Sequence, residues 1–340
     1  MSELPSIELE LLELPLRYEW KLSRNTSVSK TNAIIRVKDS LAEGIGEVAP
    51  NIRYEETAER VQLEFNSCKV LIPGLLAQGN SWAEILEQLP ACQALKTGLD
   101  MAWSRWLCAA SGITLSDFHH LPSPRPREIC YTIPVMDPAA IPDFIQRERL
   151  HRFSWLKLKV NAESAMEMLN QVLLHFPGEV AIDGNEAWKN PEEALAFALV
   201  LPKERILFLE QPFPAAMREE YVRMKPLWPV EVWGDESILG LAEPEWWKMA
   251  FHGVNVKLMK TGSLSRAVEI LHLARAAGLK TMIGCMVETS VGISAAMELE
   301  SLADYMDLDG FLLLHEEPFR LVEEEGGMVF FQELIQMSGI

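Results

Sequence analysis

The chain has 340 residues, 49% apolar and 24% charged, enough to bury an ordinary globular core with room for two domains. Its 49 acidic and 31 basic residues leave a net charge of −18, which repels nucleic acid and anionic lipid, and no basic patch offsets it. No apolar run reaches the ~18 residues of a membrane span, Met1–Leu16 lacks a basic segment leading into an apolar one, and the five cysteines (Cys68, Cys92, Cys108, Cys130, Cys285) are scattered. The expectation is a cytoplasmic small-molecule enzyme with reduced thiols, without a disulfide framework or a zinc–thiolate site.

In chain order, Ile7–Pro15, Thr31–Val37 and Gly44–Pro50 read as strands, with Arg17–Lys30 a polar loop between the first two. Apolar spacing predicts helices over Tyr54–Leu71, Ser81–Leu86 and Gln93–Ala110, the last with a stripe of Leu95, Leu99, Ala102, Trp103, Trp106 and Leu107. Residues 1–125 therefore read as an α+β unit, closed by the proline-rich linker Leu121–Pro126. Strand and helix then alternate. The strands are Glu128–Val135, Trp155–Val160, Glu179–Asp183, Ile206–Glu210, Val230–Asp235, Gly253–Leu258, Lys280–Gly284 and Tyr305–Asp309. Helical stretches such as Ala162–His175, Pro191–Val200, Leu264–Ala277 and Ser290–Ala303 lie between them. The expected class is α/β, with a (β/α) barrel over 126–320. A doubly wound sheet loses support because no GxGxxG or GxxxxGK[ST] follows any strand. Residues 321–340, with Glu323-Glu324-Glu325, read as a short acidic tail.

The strand Trp155–Val160 puts Lys157 and Lys159 on one face and Leu156, Leu158 and Val160 on the other. Alone, that pattern describes an edge strand with a solvated lysine face. Barrel enzymes, however, carry their chemistry at the C-terminal strand ends. Those positions hold Thr132; Lys157 and Lys159; Asp183 and Asn185; Glu210; Asp235 and Glu236; Lys257; Glu288; and Asp307 and Asp309. Read singly, Asp183 is a turn residue, Glu210 a strand terminus and Asp235 a helix cap. Read together, Asp183, Glu210 and Asp235 are hard oxygen donors suited to Mg²⁺, with no histidine to suggest zinc. The flanking Lys159 and Lys257 suit acid–base work if burial and a cation lower their pKa values. Such an arrangement fits proton abstraction next to a carboxylate. A hydrolase lacks its Gly-x-Ser-x-Gly, Cys–His or HExxH signal, and a non-catalytic scaffold would not need all five of these groups.

The motifs Lys157-Leu-Lys159, Asp183-Gly-Asn185, Glu210-Gln-Pro212, Asp235-Glu-Ser237, Val256-Lys257-Leu-Met-Lys260 and Gly284-Cys-Met-Val-Glu288-Thr resemble, in order and spacing, the enolase superfamily. The resemblance spans nearly the whole chain. It falls in the muconate-lactonising-enzyme-like subgroup and most closely among the dipeptide epimerases. It implies a capping domain over a (β/α)7β modified TIM barrel, one Mg²⁺ per subunit on Asp183, Glu210 and Asp235, and a metal-stabilised enediolate. Lys159 and Lys257 would be the acid/base pair, Lys157 would support the first lysine and contact the substrate carboxylate, and Asn185 and Glu236 would stand behind them. Asp307 and Asp309 would hold a dipeptide amine, Arg24 a glutamate side chain, and Thr132 would line the pocket. Lys260 reads as a loop cation. The implied reaction interconverts L-Ala-D-Glu and L-Ala-L-Glu, as in recycling of cell-wall peptides. The alternatives are an apolar or cationic dipeptide, or the sister activities o-succinylbenzoate synthase, N-succinylamino acid racemase and muconate cycloisomerase, whose substrates lack a free ammonium. Homo-oligomerisation stays open. Asn161, Thr261-Gly262-Ser263 and the acidic ending depart from the subgroup's pattern.

Overall fold

The computed structural model describes residues 4–21, 26–239 and 242–332. The cap begins with an antiparallel sheet of β1 (Ser6–Lys21), β2 (Thr26–Lys38) and β3 (Glu43–Val48). Helices α1 (Ala58–Ala77), α2 (Trp82–Gln88), α3 (Gln93–Ser111) and α4 (Leu115–Phe118) follow. Strand β3 lies directly on α3. A Cβ at Gly44 or Gly46 would fall 2.1 Å from a carbonyl oxygen of that helix, so only glycine permits the approach.

The stretch Arg17–Lys30 is less of a loop than its polarity suggests. The β1–β2 ladder shifts register after Pro15 and resumes with Trp20 opposite Ser27 and Lys21 opposite Thr26. Tertiary support explains the difference. Leu14, Leu16 and Tyr18 turn inward while Pro15, Arg17 and Glu19 stay exposed, Leu16 bridges Leu314, and Tyr18 Oη meets Tyr131 Oη at 2.9 Å. This period-2 stripe docks the hairpin on the barrel.

The second half alternates as expected: β4 (Arg127–Glu128), β5 (Tyr131–Ile133), α5 (Ile141–Arg147), β6 (Trp155–Lys159), α6 (Ala165–His175), β7 (Glu179–Asp183), α7 (Pro191–Leu199), β8 (Ile206–Glu210) and α8 (Arg218–Met224). Then come β9 (Val232–Gly234), α9 (Pro244–Ala250), β10 (Gly253–Lys257), α10 (Leu258–Thr261), α11 (Leu264–Ala276), β11 (Lys280–Gly284), α12 (Ser290–Met297) and β12 (Tyr305–Asp307). Strands β5 to β12 are parallel neighbours in sequence order, and Cys130 N donates to Met306 O at 3.3 Å where the last approaches the first. The architecture is the (β/α)7β barrel with its α+β cap. The expected strand Glu128–Val135 is split, because β4 leaves the barrel to pair with Met328 and Val329 near the end of the chain. Strands β13 (Val322–Glu325) and β14 (Met328–Phe331) turn at Gly326 and Gly327, whose φ values of 60° and 80° favour glycine. The described part of the acidic ending is thus a hairpin, held also by Arg152 on Glu324 at 2.8 Å.

Inside the barrel the side chains form layers. Cys130, Trp155, Ala181, Phe208, Trp233 and Met282 make an apolar floor, with Phe208 stacked on Trp233 at 4.3 Å. Two residues further along β6, β7 and β8 stand Lys157, Asp183 and Glu210, so period-2 alternation puts charge above that floor. The cap closes over this charged end. Glu47 of β3 is fully buried and accepts from Thr289 N (2.9 Å), Thr289 Oγ1 (2.7 Å) and Gly292 N (2.9 Å), placing a carboxylate on the N-terminus of α12. From α3, Thr97 Oγ1 donates to Leu258 O at 2.8 Å, and Asp100 accepts from Leu264 N at 2.7 Å.

Candidate active site

Around the barrel mouth the strand ends bring Thr132 on β5, Lys157 and Lys159 on β6, Asp183 on β7, Glu210 on β8, Asp235 just past β9, Lys257 on β10, and Asp307 and Asp309 at and after β12. All are buried. Strands β6 and β10 lie four places apart in a ring of eight, so Lys159 and Lys257 reach the mouth from opposite sides. The three carboxylate strands β7, β8 and β9 lie between them. The mouth opens into a cavity of about 610 Å³ between barrel and cap, lined by Lys159, Lys257, Asp307, Asp309 and Asp235, and from the cap by Lys30, Arg53 and Tyr54.

The charges pair closely. Lys157 Nζ lies 2.7 Å from Asp307, 2.9 Å from Glu210 and 3.2 Å from Asp183. Lys159 Nζ donates to Asp183 at 2.7 Å and to Asn185 Oδ1 at 2.9 Å. Lys257 Nζ donates to Asp235 at 2.8 Å. Burial alone would lower the lysine pKa values, but the carboxylates outweigh it and hold Lys157 and Lys257 well above the usual range. Burial pushes Glu210 up to about 7 and Glu236 to about 8, while Lys157 and Lys159 overcome burial to bring Asp183 to about 2. Asp309 rises to about 7 through burial and its neighbour Asp307.

Asp183, Glu210 and Asp235 offer hard oxygen donors on consecutive strands. Among the described residues no three acidic, histidine or cysteine side chains are drawn together as a finished metal cage; ammonium groups span the carboxylates instead. A hard dication nevertheless fits the donor chemistry. Among the described residues, Glu210 Oε2 is buried and accepts no hydrogen bond, with the Lys157 ammonium 2.9 Å away.

Other expected residues fall close by. Asn185 Nδ2 donates to Glu236 Oε1 at 3.3 Å, and Thr132 N donates to Asp309 Oδ2 at 2.5 Å. Asp307 Oδ1 accepts from Cys130 Sγ at 3.2 Å. Arg24 lies outside the described residues. Three residues gain a role that spacing did not show. Asn255, two before Lys257 and so on the same strand face, holds Glu210 Oε1 at 2.9 Å. Gln211 Oε1 accepts from Asp235 N (2.9 Å) and Ser237 N (3.1 Å), tying the ends of β8 and β9 together. Lys260 is no loop cation: it is buried and donates to Asp235 Oδ1 and Asp235 O, both at 2.6 Å.

Residues 141–325 match the family model described as enolase C-terminal domain-like, more than half of the chain. An L-Ala-D/L-amino acid epimerase of Pedosphaera parvula is 33% identical, covering 96% of this chain and 96% of its own. The chain belongs to the enolase superfamily. Among solved structures of that family, an Agrobacterium tumefaciens member with homology to dipeptide epimerases, bound to sodium and L-Ala-L-Glu, is similar to this chain at 25% identity. Its TM-score is 0.84, and the match covers 96% of this chain and 98% of that one. A dipeptide epimerase of Enterococcus faecalis, complexed with Mg and L-Leu-L-Tyr, shares the fold at 20% identity and a TM-score of 0.85, over 97% of this chain and 98% of its own.

Lys260 makes a clear case within this family site. Replacing it with methionine removes one hydrogen bond from the Asp235 main-chain oxygen and one from its carboxylate, leaving Ile238 N on the first at 2.9 Å and Lys257 on the second at 2.8 Å. We expect Lys260→Met to weaken divalent-cation affinity by about 10- to 100-fold, the usual effect of removing a group that orients a ligand. Calorimetric titration with Mg²⁺ checks this, and unchanged affinity would show that Asp235 is positioned without Lys260.

Proposed function

We propose that the chain is a Mg²⁺-dependent dipeptide epimerase that inverts the α-carbon of the second residue, with L-Ala-D-Glu and L-Ala-L-Glu as its substrate pair. One observation carries the reading: two lysines, Lys159 and Lys257, face a single cavity from opposite sides of the barrel, with a carboxylate cluster between them. A one-sided acid–base group could exchange a proton but could not invert the centre. Two opposed groups can do both.

In this reading Asp183, Glu210 and Asp235 hold the cation; Asn185 N positions the Asp183 carboxylate, Asn255 that of Glu210 and Lys260 that of Asp235, while Gln211 fixes the Asp235 main chain. Bound there, Mg²⁺ would supply a counter-charge for the substrate carboxylate and share with the lysines the neutralisation of the carboxylate cluster. Lys159 then removes or returns the α-proton on one face and Lys257 on the other, while Lys157 faces the substrate carboxylate. Asp307 and Asp309 bind the amine, with Thr132 fixing Asp309, and Arg24 joins the glutamate side chain. The Pedosphaera parvula relative is an L-Ala-D/L-amino acid epimerase, and the Agrobacterium tumefaciens structure holds L-Ala-L-Glu, which supports an L-Ala-X substrate. No helix of the described residues is long and apolar enough to cross a membrane, in keeping with a cytoplasmic enzyme that handles peptides recovered from the cell wall.

The test is chiral chromatography of an L-Ala-X panel after incubation with the full chain. The expected result is conversion between L-Ala-L-Glu and L-Ala-D-Glu that stops when EDTA removes the metal and returns with Mg²⁺. Conversion indifferent to EDTA would remove the metal from the account. Conversion of other dipeptides but not of Ala-Glu would remove the substrate.

A further inference from the structure

We infer that Lys30 reads the charge of the substrate's second side chain and selects an anionic one. The inference deepens the epimerase reading and rests on it. Lys30 belongs to β2 of the cap and lines the same cavity as Lys159, Lys257, Asp307 and Asp309. It is half-buried, and its Nζ donates to Ser27 Oγ at 3.0 Å.

Among the described residues, the other cations lining that cavity already face carboxylates. Lys157 has Asp183, Glu210 and Asp307; Lys159 has Asp183; Lys257 has Asp235. Arg53 meets both oxygens of Glu186, at 2.9 and 3.1 Å. Lys30 differs. Among the described residues its one polar contact is the neutral Ser27 hydroxyl, and burial without a nearby anion holds its pKa below the ordinary lysine value.

A dipeptide's charges can be matched to the cavity in turn. Its carboxylate goes to the cation cluster and its amine to Asp307 and Asp309, which leaves the second side chain for the cap wall. A partly desolvated ammonium without a counter-charge gains from an anionic side chain, gains little from a neutral one and repels a cationic one. Leaving such a group unmatched is what gives a polar site its discrimination.

The experiment compares kcat/KM for L-Ala-L-Glu, its neutral isostere L-Ala-L-Gln, and L-Ala-L-Lys, using the full chain with Mg²⁺. Wild type should prefer Ala-Glu. In Lys30→Met the Ala-Glu to Ala-Gln ratio should fall at least ~10-fold, through KM rather than kcat, the size of one lost charge-assisted contact. Lys30→Arg should keep the ratio, and Lys30→Glu should move the preference toward Ala-Lys. An unchanged ratio in Lys30→Met, a retained Ala-Glu preference in Lys30→Glu, or a wild-type preference for Ala-Lys each overturns the inference while the epimerase reading stands. Wild type that turns over no dipeptide overturns both.

Discussion

Replacing either Lys159 or Lys257 with alanine should abolish epimerisation, lowering kcat by about 10²- to 10⁴-fold or more, while exchange of the α-proton with solvent survives for one diastereomer only. The two lysines face the cavity from opposite sides. The one that remains can still take and return a proton on its own face, but nothing delivers a proton to the other. The two variants should therefore be mirror images, one exchanging only the L,L and the other only the L,D isomer. Folding should tolerate both changes. Asp183 keeps Lys157 at 3.2 Å when Lys159 is lost, and Asp235 keeps Lys260 at 2.6 Å when Lys257 is lost. Deuterium incorporation followed by mass spectrometry checks the pattern. Retention of epimerisation in either variant, or exchange of both isomers in one of them, would mean that the lysines do not divide the two faces.

Lys157 is the opposite case. Glu210 and Asp307 have no other ion pair among the described residues, and Asp183 depends on it in part. Removing one partner of a buried cluster leaves uncompensated charge, so Lys157→Met should destabilise the metal-free protein by about 3–5 kcal/mol. The loss should sit at the low end near neutral pH. Glu210 already stands at about 7 and takes up a proton readily once the ammonium is gone. Saturating Mg²⁺ should restore part of the loss, and more in the variant than in wild type, because the dication binds the folded state and replaces the missing positive charge. Urea unfolding with and without Mg²⁺ measures both effects. A loss below about 1 kcal/mol, the range of surface pairs, or equal Mg²⁺ stabilisation in the two proteins, would contradict this view of Lys157.

The barrel and its charged mouth were legible because both follow from period-2 alternation. Trp155, Lys157 and Lys159 share a face whatever their neighbours, and the same rule puts Asp183 and Glu210 above Ala181 and Phe208. Asn255 was open to the same reading, two positions before Lys257, but one amide among many charges gave no signal of its own. Other features depend on contacts far apart in the chain. Glu47 looks like any strand carboxylate until it meets Thr289, 242 residues away. The hairpin arm hid its Leu14, Leu16 and Tyr18 stripe among polar residues, and only its docking on Tyr131 and Leu314 extends it. Lys260 was misread for a related reason. The short turn α10 directs its side chain back beneath Asp235, which spacing along β10 does not show.

The central claim is removal and return of a proton at a dipeptide α-carbon. Proton NMR of L-Ala-L-Glu with the enzyme and Mg²⁺ in D₂O observes that step directly. The account predicts loss of the glutamate α-proton signal together with growth of the L-Ala-D-Glu resonances. A spectrum in which no dipeptide of a broad panel loses its α-proton would contradict it.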